Sequence, residues 1–225
     1  MAVNEEKYKA IIDELQQAGV TLVAVSKTKP AEDISALYAL GQRDFGENYV
    51  QELVDKAASL PNDIRWHFIG HLQSNKVKYI APFVQLIHGI DSLKLLTEVN
   101  KQAAKQGRVI DCLLQVHIAT EETKFGLNEQ ELSEIAAHSA TTQLTNVRVR
   151  GLMGMASFSD DAALVRNEFR SLKSLFDKYA SSFGQWDILS MGMSGDYKMA
   201  MEEGSTMVRI GSLLFGERQK KAGYR

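Results

Sequence analysis

Short runs rich in apolar and β-branched residues punctuate the chain at Thr21 to Ser26, Arg43 to Phe45, Arg65 to Ile69, Leu86 to His88, Asp111 to Ile118, Arg148 to Met153, Asp187 to Ser190 and Met207 to Ile210. Their length and near-continuous hydrophobicity predict strands covered on both faces. Between them the pattern changes to helical spacing at Ala31 to Leu40, Tyr49 to Leu60, Asn75 to Ala81, Ser92 to Lys105, Glu129 to His138, Asp161 to Ser181 and Asp196 to Glu203, and an extra helix, about Glu5 to Ala18, opens the chain. Pro30 followed by Glu32 and Asp33 marks one helix start, Asp91 or Ser92 can cap another, and Gly19, Gly41 and Gly107 mark helix ends. Strict alternation of strand and helix implies a parallel sheet. Eight such units in a chain of 225 residues fit a single α/β TIM barrel, (β/α)8, better than an open doubly wound sheet, although spacing alone leaves the open form standing. No internal repeat or flexible linker interrupts the series, so residues 1–225 are expected to form one domain.

Composition narrows the function classes. An apolar fraction of 44% and a charged fraction of 24% describe an ordinary globular chain. The net charge of −2 supplies no basic field for a phosphate backbone, which argues against nucleic acid as a partner, and the terminal Arg218, Lys220 and Lys221 read as a solvated tail. Cys112, the single cysteine, sits in an apolar run and suits a reducing compartment. Without an N-terminal export pattern or about eighteen consecutive apolar residues, the expectation is a cytoplasmic protein with no membrane association.

Barrel sites stand at the C-terminal ends of strands, so the residues after each run carry the chemistry. Strand one is followed by Ser26-Lys27-Thr28-Lys29-Pro30. The two-residue period places Val23, Val25 and Lys27 on one face. If that face points inward, Lys27 stands at the mouth over apolar neighbours that would lower its amine pKa and favour attack on an aldehyde. Lys29, held extended before a proline, is expected to face solvent. Late in the chain, Ser190-Met191-Gly192-Met193-Ser194-Gly195-Asp196 after strand seven and Arg209-Ile210-Gly211-Ser212 at strand eight offer backbone N–H groups and hydroxyls where barrels often bind phosphate. Tight turns and an ordinary Ser194 cap would explain either segment taken alone. His67 and His71 lack the helical face and glutamate of a zinc motif, so no metal is expected, and no P-loop or dinucleotide fingerprint is complete. The methionines at 153, 155, 191, 193, 199, 201 and 207 read as core or pocket lining.

With these segments in place, the chain resembles the pyridoxal phosphate homeostasis protein family, the short barrel relatives of the alanine racemase N-terminal domain. The resemblance lies in Ala24-Val25-Ser26-Lys27-Thr28-Lys29-Pro30, Phe45-Gly46-Glu47-Asn48-Tyr49-Val50-Gln51-Glu52, the His67 to Lys76 segment, Leu189 to Asp196, and Glu203 to Gly211 continuing to Phe215-Gly216. It implies a pyridoxal 5'-phosphate cofactor held as a Schiff base on Lys27, with Ser194, Gly195, Gly211 and Ser212 on the phosphate, Arg209 at the pyridine nitrogen, and Asn48 and His67 near the ring. The family often carries proline near Met155-Ala156-Ser157, where this chain has none, which removes one source of rigidity from the loop after strand six.

The implied function is to carry or buffer the cofactor and so maintain vitamin B6 and amino-acid/keto-acid balance, with apo-enzymes that accept the cofactor as partners and a monomer expected. An arginine at the ring nitrogen disfavours its protonation and weakens the ring as an electron sink. The alternative, a pyridoxal-phosphate-dependent racemase, needs a second acid/base, which in the longer barrel enzymes comes from a tyrosine of an additional β-domain of a partner subunit. Lys220, Lys221 and Tyr224 after the last helical segment are expected to be too few to form such a domain. A barrel binding some other phosphorylated metabolite would leave Lys27 idle.

Overall fold

The computed structural model describes residues 3–121, 124–141, 144–182 and 186–216. The basic residues 218, 220 and 221 lie outside them. Among the described residues, β1 (Thr21–Val25), β2 (Asp44–Glu47), β3 (Arg65–Phe68), β4 (Leu86–Ile90), β5 (Ile110–Val116), β6 (Val147–Gly154), β7 (Ile188–Met193) and β8 (Met207–Ile210) pair in sequence order. β8 closes on β1 with parallel register Thr21↔Met207 to Ala24↔Ile210, so the sheet is a closed barrel and the open alternative is excluded. The predicted helices follow as α1 (Glu5–Gln17), α2 (Ala31–Ala39), α3 (Val50–Ser59), α4 (Val77–Ile80), α5 (Leu93–Lys105), α6 (Glu129–Thr141), α7 (Ala162–Tyr179) and α8 (Tyr197–Glu202). A short α9 (Ser212–Phe215), which the hydrophobic pattern is too brief to reveal, follows β8.

The predicted end signals act as expected. Ser92, not Asp91, caps α5 by accepting from Leu95 N–H at 3.2 Å; Asp161, which is not among the predicted caps, serves α7 in the same way by accepting from Ala163 and Leu164 N–H. Gly19, Gly41 and Gly107 leave their helices with positive φ. One boundary differs. The segment Ser190 to Met193, expected as part of a glycine-rich turn, continues β7, and the turn itself narrows to Ser194-Gly195-Asp196. The strand accommodates Gly192 at φ +94 through a shift in its register with β8, which the apolar pattern does not encode.

Burial separates two apolar layers. Leu22, Ala24, Phe45 and Phe68 face outward and pack with helix residues such as Ile34, Leu53 and Leu95, while Val23, Leu86, Leu113, Met153, Ile188 and Met207 fill the barrel interior with Met155 against them. Cys112 is wholly buried, and burial raises its thiol pKa far above the ordinary value, which fits a core role. The inward placement of Val23 satisfies the condition on which the placement of Lys27 depended.

Candidate functional site

The C-terminal ends of the strands enclose a cavity of about 370 Å³, within the size range of small-molecule sites. Val25, Ile69, Met155 and Met193 form its apolar walls, and Lys27, Asn48, Ser194, Gly195, Arg209, Gly211 and Ser212 bring polar groups to it. Residues more than 180 positions apart in sequence thus converge because β8 lies beside β1. Of the residues that the resemblance implied around the cofactor, only His67 is absent from this lining. It lies near the opposite end of the interior, buried, with Nε2 2.9 Å from Asp44 Oδ1 and Nδ1 3.0 Å from His88 Nε2. The two-residue strand period brings His67 inward but β3 carries it below the mouth, where Ile69 takes its place.

The two late glycine-containing turns form one cradle. Gly211 N–H donates to Ser194 Oγ at 3.2 Å, and Met193 N–H donates to Asp196 Oδ1 at 2.6 Å to close the first turn. A Cβ on Gly195 would meet nothing within 4 Å, so the space above this turn is open. Ser212 begins α9, whose first N–H groups have no acceptor inside the helix. Burial pushes the Asp196 carboxyl pKa up, against the opposing pull of the Met193 N–H and Arg209.

Arg209 occupies the cavity floor. It donates to Ser190 O at 2.8 Å, Ser190 Oγ at 2.6 Å and Gly154 O at 3.0 Å. Burial lowers its pKa to about 10, which leaves it a cation at neutral pH. Asn48 Oδ1 is buried in the cavity wall just after β2 with no hydrogen-bond partner among the described residues. An orphaned acceptor of that kind is a site for a ligand donor or bridging water.

Lys29 departs from expectation. Rather than extending into solvent, its Nζ donates to Phe215 O at 2.7 Å and Gly216 O at 3.2 Å, tying the β1 loop to the end of α9. Exposed carbonyls at a helix C-terminus attract a cation that the preceding-proline rule cannot foresee. The loop after β6 is also fixed without proline: Glu168 accepts from Ser157 N–H and Oγ, Lys124 donates to Ala156 O, and Phe158 N–H donates to Glu121. Ser157 Oγ also meets Thr120 on the neighbouring loop.

Sequence reasoning missed the group that holds the Lys27 turn. Lys56 Nζ donates to Ser26 O at 2.8 Å, Glu47 Oε1 at 2.7 Å and Glu52 Oε1 at 2.7 Å, while Glu52 also accepts from Thr28 N–H at 2.6 Å. The residues on both sides of Lys27 are therefore anchored to one ionic cluster. Thr28 carries φ +64, a conformation unfavourable for a β-branched residue, and Glu52 bonds to its amide. Glu47 has no exposed side-chain surface; burial raises its carboxyl pKa, with Lys56 opposing the rise. The four-residue spacing of Glu52 and Lys56 is visible in the sequence, but their convergence with Glu47 is not. Lys56→Met is expected to destabilise the fold by about 3 kcal/mol, because it strands a buried carboxylate. Without Lys56, the folded-state pKa of Glu47 rises further above its unfolded value. The loss should therefore be smallest at acidic pH and grow as pH rises, as read by urea midpoints across pH.

The alanine racemase N-terminal domain family matches residues 3–219. A pyridoxal phosphate homeostasis protein from Aquifex aeolicus is 44% identical over 200 residues, covering 88% of this chain and 87% of its own. The chain belongs to the pyridoxal phosphate homeostasis protein family. Within the family, the solved structure of PipY from Synechococcus elongatus with pyridoxal phosphate bound has a TM-score of 0.85 at 35% identity, over 94% of this chain and 99% of that one. Alanine racemase from Bartonella henselae, at 17% identity and TM-score 0.72, shares the fold over 94% of this chain and 59% of its own. The family's barrel is thus the barrel seen here, with the mouth cavity at the end where barrel sites stand.

Proposed function

We propose that the protein binds pyridoxal 5'-phosphate in the mouth cavity, covalently through Lys27, and serves to carry or buffer the cofactor in vitamin B6 and amino-acid/keto-acid homeostasis. The observation that carries this reading is the convergence of an amine, an oxyanion cradle and a buried guanidinium in one cavity. The names of its relatives and the pyridoxal phosphate bound by PipY support it. No helix among the described residues is long and apolar enough to cross a membrane, and a cytoplasmic monomer is part of the proposal.

The lining fits the cofactor's chemistry. Ser194, Gly195, Gly211 and Ser212 would hold the phosphate with hydroxyls and backbone N–H groups. Asn48 Oδ1, unpaired among the described residues, would accept from the ligand or from a water beside the ring. When bound, pyridoxal phosphate supplies an aldehyde that condenses with a primary amine. Lys27 presents that amine at the end of β1, and the Lys56 cluster fixes the turn that carries it. Val25, Ile69 and Met155 exclude water from the walls. Arg209 would set its positive charge beside the pyridine nitrogen, where it would disfavour a proton and suit holding the cofactor over extensive carbanion chemistry. Apo-enzymes that accept the cofactor are the proposed partners.

Borohydride reduction of the protein incubated with pyridoxal phosphate, followed by peptide mass analysis, tests the attachment. The expected result is a pyridoxyl adduct on the peptide containing Lys27. An adduct confined to other lysines, or none, overturns the proposal.

A further inference from the structure

Below the mouth, the barrel interior is crossed by a line of polar side chains that cofactor binding leaves unexplained. Arg209 Nη1 donates to Ser190 Oγ at 2.6 Å, and Ser190 Oγ lies 3.0 Å from His88 Nδ1. His88 Nε2 is 3.0 Å from His67 Nδ1, and His67 Nε2 is 2.9 Å from Asp44 Oδ1. Arg65 Nε donates to the same Asp44 oxygen at 2.8 Å from the far end of the barrel. Ser190 and His88 are wholly buried, and His67 and Arg209 nearly so.

The carboxylate end sets the direction of the hydrogens along the line. A guanidinium has only donors and a carboxylate only acceptors. From the carboxylate, the hydrogen of a singly protonated His67 lies on Nε2 and serves Asp44, which leaves His67 Nδ1 to accept from His88 Nε2 and His88 Nδ1 to accept from the Ser190 hydroxyl. Ser190 Oγ accepts from Arg209 with a lone pair at the same time. Running the histidine links the other way would point a bare His67 nitrogen at the carboxylate unless a further proton entered that ring. Burial, followed by the neighbouring His67 and Arg209, holds the His88 pKa well below the ordinary histidine value. At the far end burial opposes ionisation of Asp44, but hydrogen bonds from Arg65 and His67 outweigh it and hold the pKa at about 2.

We propose that Ser190, His88 and His67 are positioning residues for the pyridoxal site, forming a one-way hydrogen-bond chain that holds the Arg209 guanidinium at the cavity floor and links it to the Asp44 carboxylate across the barrel. The role rests on the reading of the mouth cavity as a pyridoxal phosphate site. The direct acceptors of Arg209 are two carbonyls and a hydroxyl, all uncharged, and Asp196 attracts it only from across the turn. The chain thereby supports a buried cation by aligned dipoles while keeping its carboxylate end away from the ligand. A carboxylate at the ring would favour the proton that Arg209 opposes.

Spectra correlating ring protons with ring nitrogens in the ligand-free protein test the direction, with signals assigned through His67→Gln and His88→Gln. The expected result is a hydrogen on Nε2 of each ring and none on Nδ1 of His88. A hydrogen on Nδ1 of His88, or a doubly protonated ring, overturns the one-way chain. His88→Phe and, as a smaller cut, Ser190→Ala test the coupling to the site. Each is expected to weaken pyridoxal phosphate binding about tenfold, the worth of one hydrogen bond to a charged group, with inorganic phosphate binding unchanged. Unchanged pyridoxal phosphate affinity in both variants, or equal losses for the two ligands, overturns the positioning role. If the unaltered protein binds inorganic phosphate but no pyridoxal phosphate, the cofactor reading and the positioning role fall together, and the tautomers still decide the chain.

Discussion

Lys27→Ala is expected to abolish the visible absorption band that the protein gains with pyridoxal phosphate and to remove the borohydride-trapped adduct, while leaving the circular dichroism of the barrel unchanged. The loss should be complete because the other amines near the cavity among the described residues are committed elsewhere. Lys29, two residues away and also at the cavity, is engaged with the Phe215 and Gly216 carbonyls, and moving it would break the tie between the β1 loop and α9. Lys56 is committed to Ser26, Glu47 and Glu52. The phosphate cradle on β7 and β8 remains in the variant, so equilibrium dialysis should still detect weakened, non-covalent binding. Lys29→Ala serves as the comparison and should retain the band. A Lys27→Ala protein that keeps the band, or an adduct that moves to Lys29 with undiminished yield, would refute the assignment.

The second large effect concerns the barrel wall. Gly151→Ala should prevent accumulation of folded protein or cost more than about 4 kcal/mol, because the backbone at this point has φ +148 and a Cβ would lie 1.9 Å from Ile188 O. Backbone is the obstacle, so no rotamer change relieves it. Gly151 pairs with Ile188 on β7, and the register with β5 shifts between Cys112 and Leu113 at the same level. The Phe176 ring of α7 lies 3.0 Å from the same Cβ position. Separating β6 from β7 would also displace Gly154 O and Ser190, both acceptors of Arg209, so any folded remainder should bind pyridoxal phosphate poorly. Soluble yield and a denaturation midpoint decide it: a variant within about 1 kcal/mol of the parent would show that this contact is not limiting.

Much of the site was legible before the structure because it follows from strand period and local signals. Val23, Val25 and Lys27 alternate onto one face, and the two late glycine-containing segments sit where β7 and β8 end. His67 marks the limit of this reasoning. The period selects the inward face, but height along the barrel depends on strand stagger, so an inward residue can stand at the mouth or well below it. Lys29 marks another, since its partners, Phe215 O and Gly216 O, lie at the far end of the chain.

The sequence alone determined the order and type of the elements, the apolar layers, and the amine and glycine turns at strand ends, because hydrophobic periodicity and capping act over a few residues. Only the tertiary structure decided that the cradle and Lys27 share one cavity, that Lys56 gathers Glu47 and Glu52 beneath the lysine turn, and that a line of side chains joins Arg209 to Asp44. Those relations arise from barrel closure, which sets β8 beside β1 and turns five separate strands toward one interior. Hydrogen bonds across that interior depend on stagger and distance, for which a linear pattern has no coordinate.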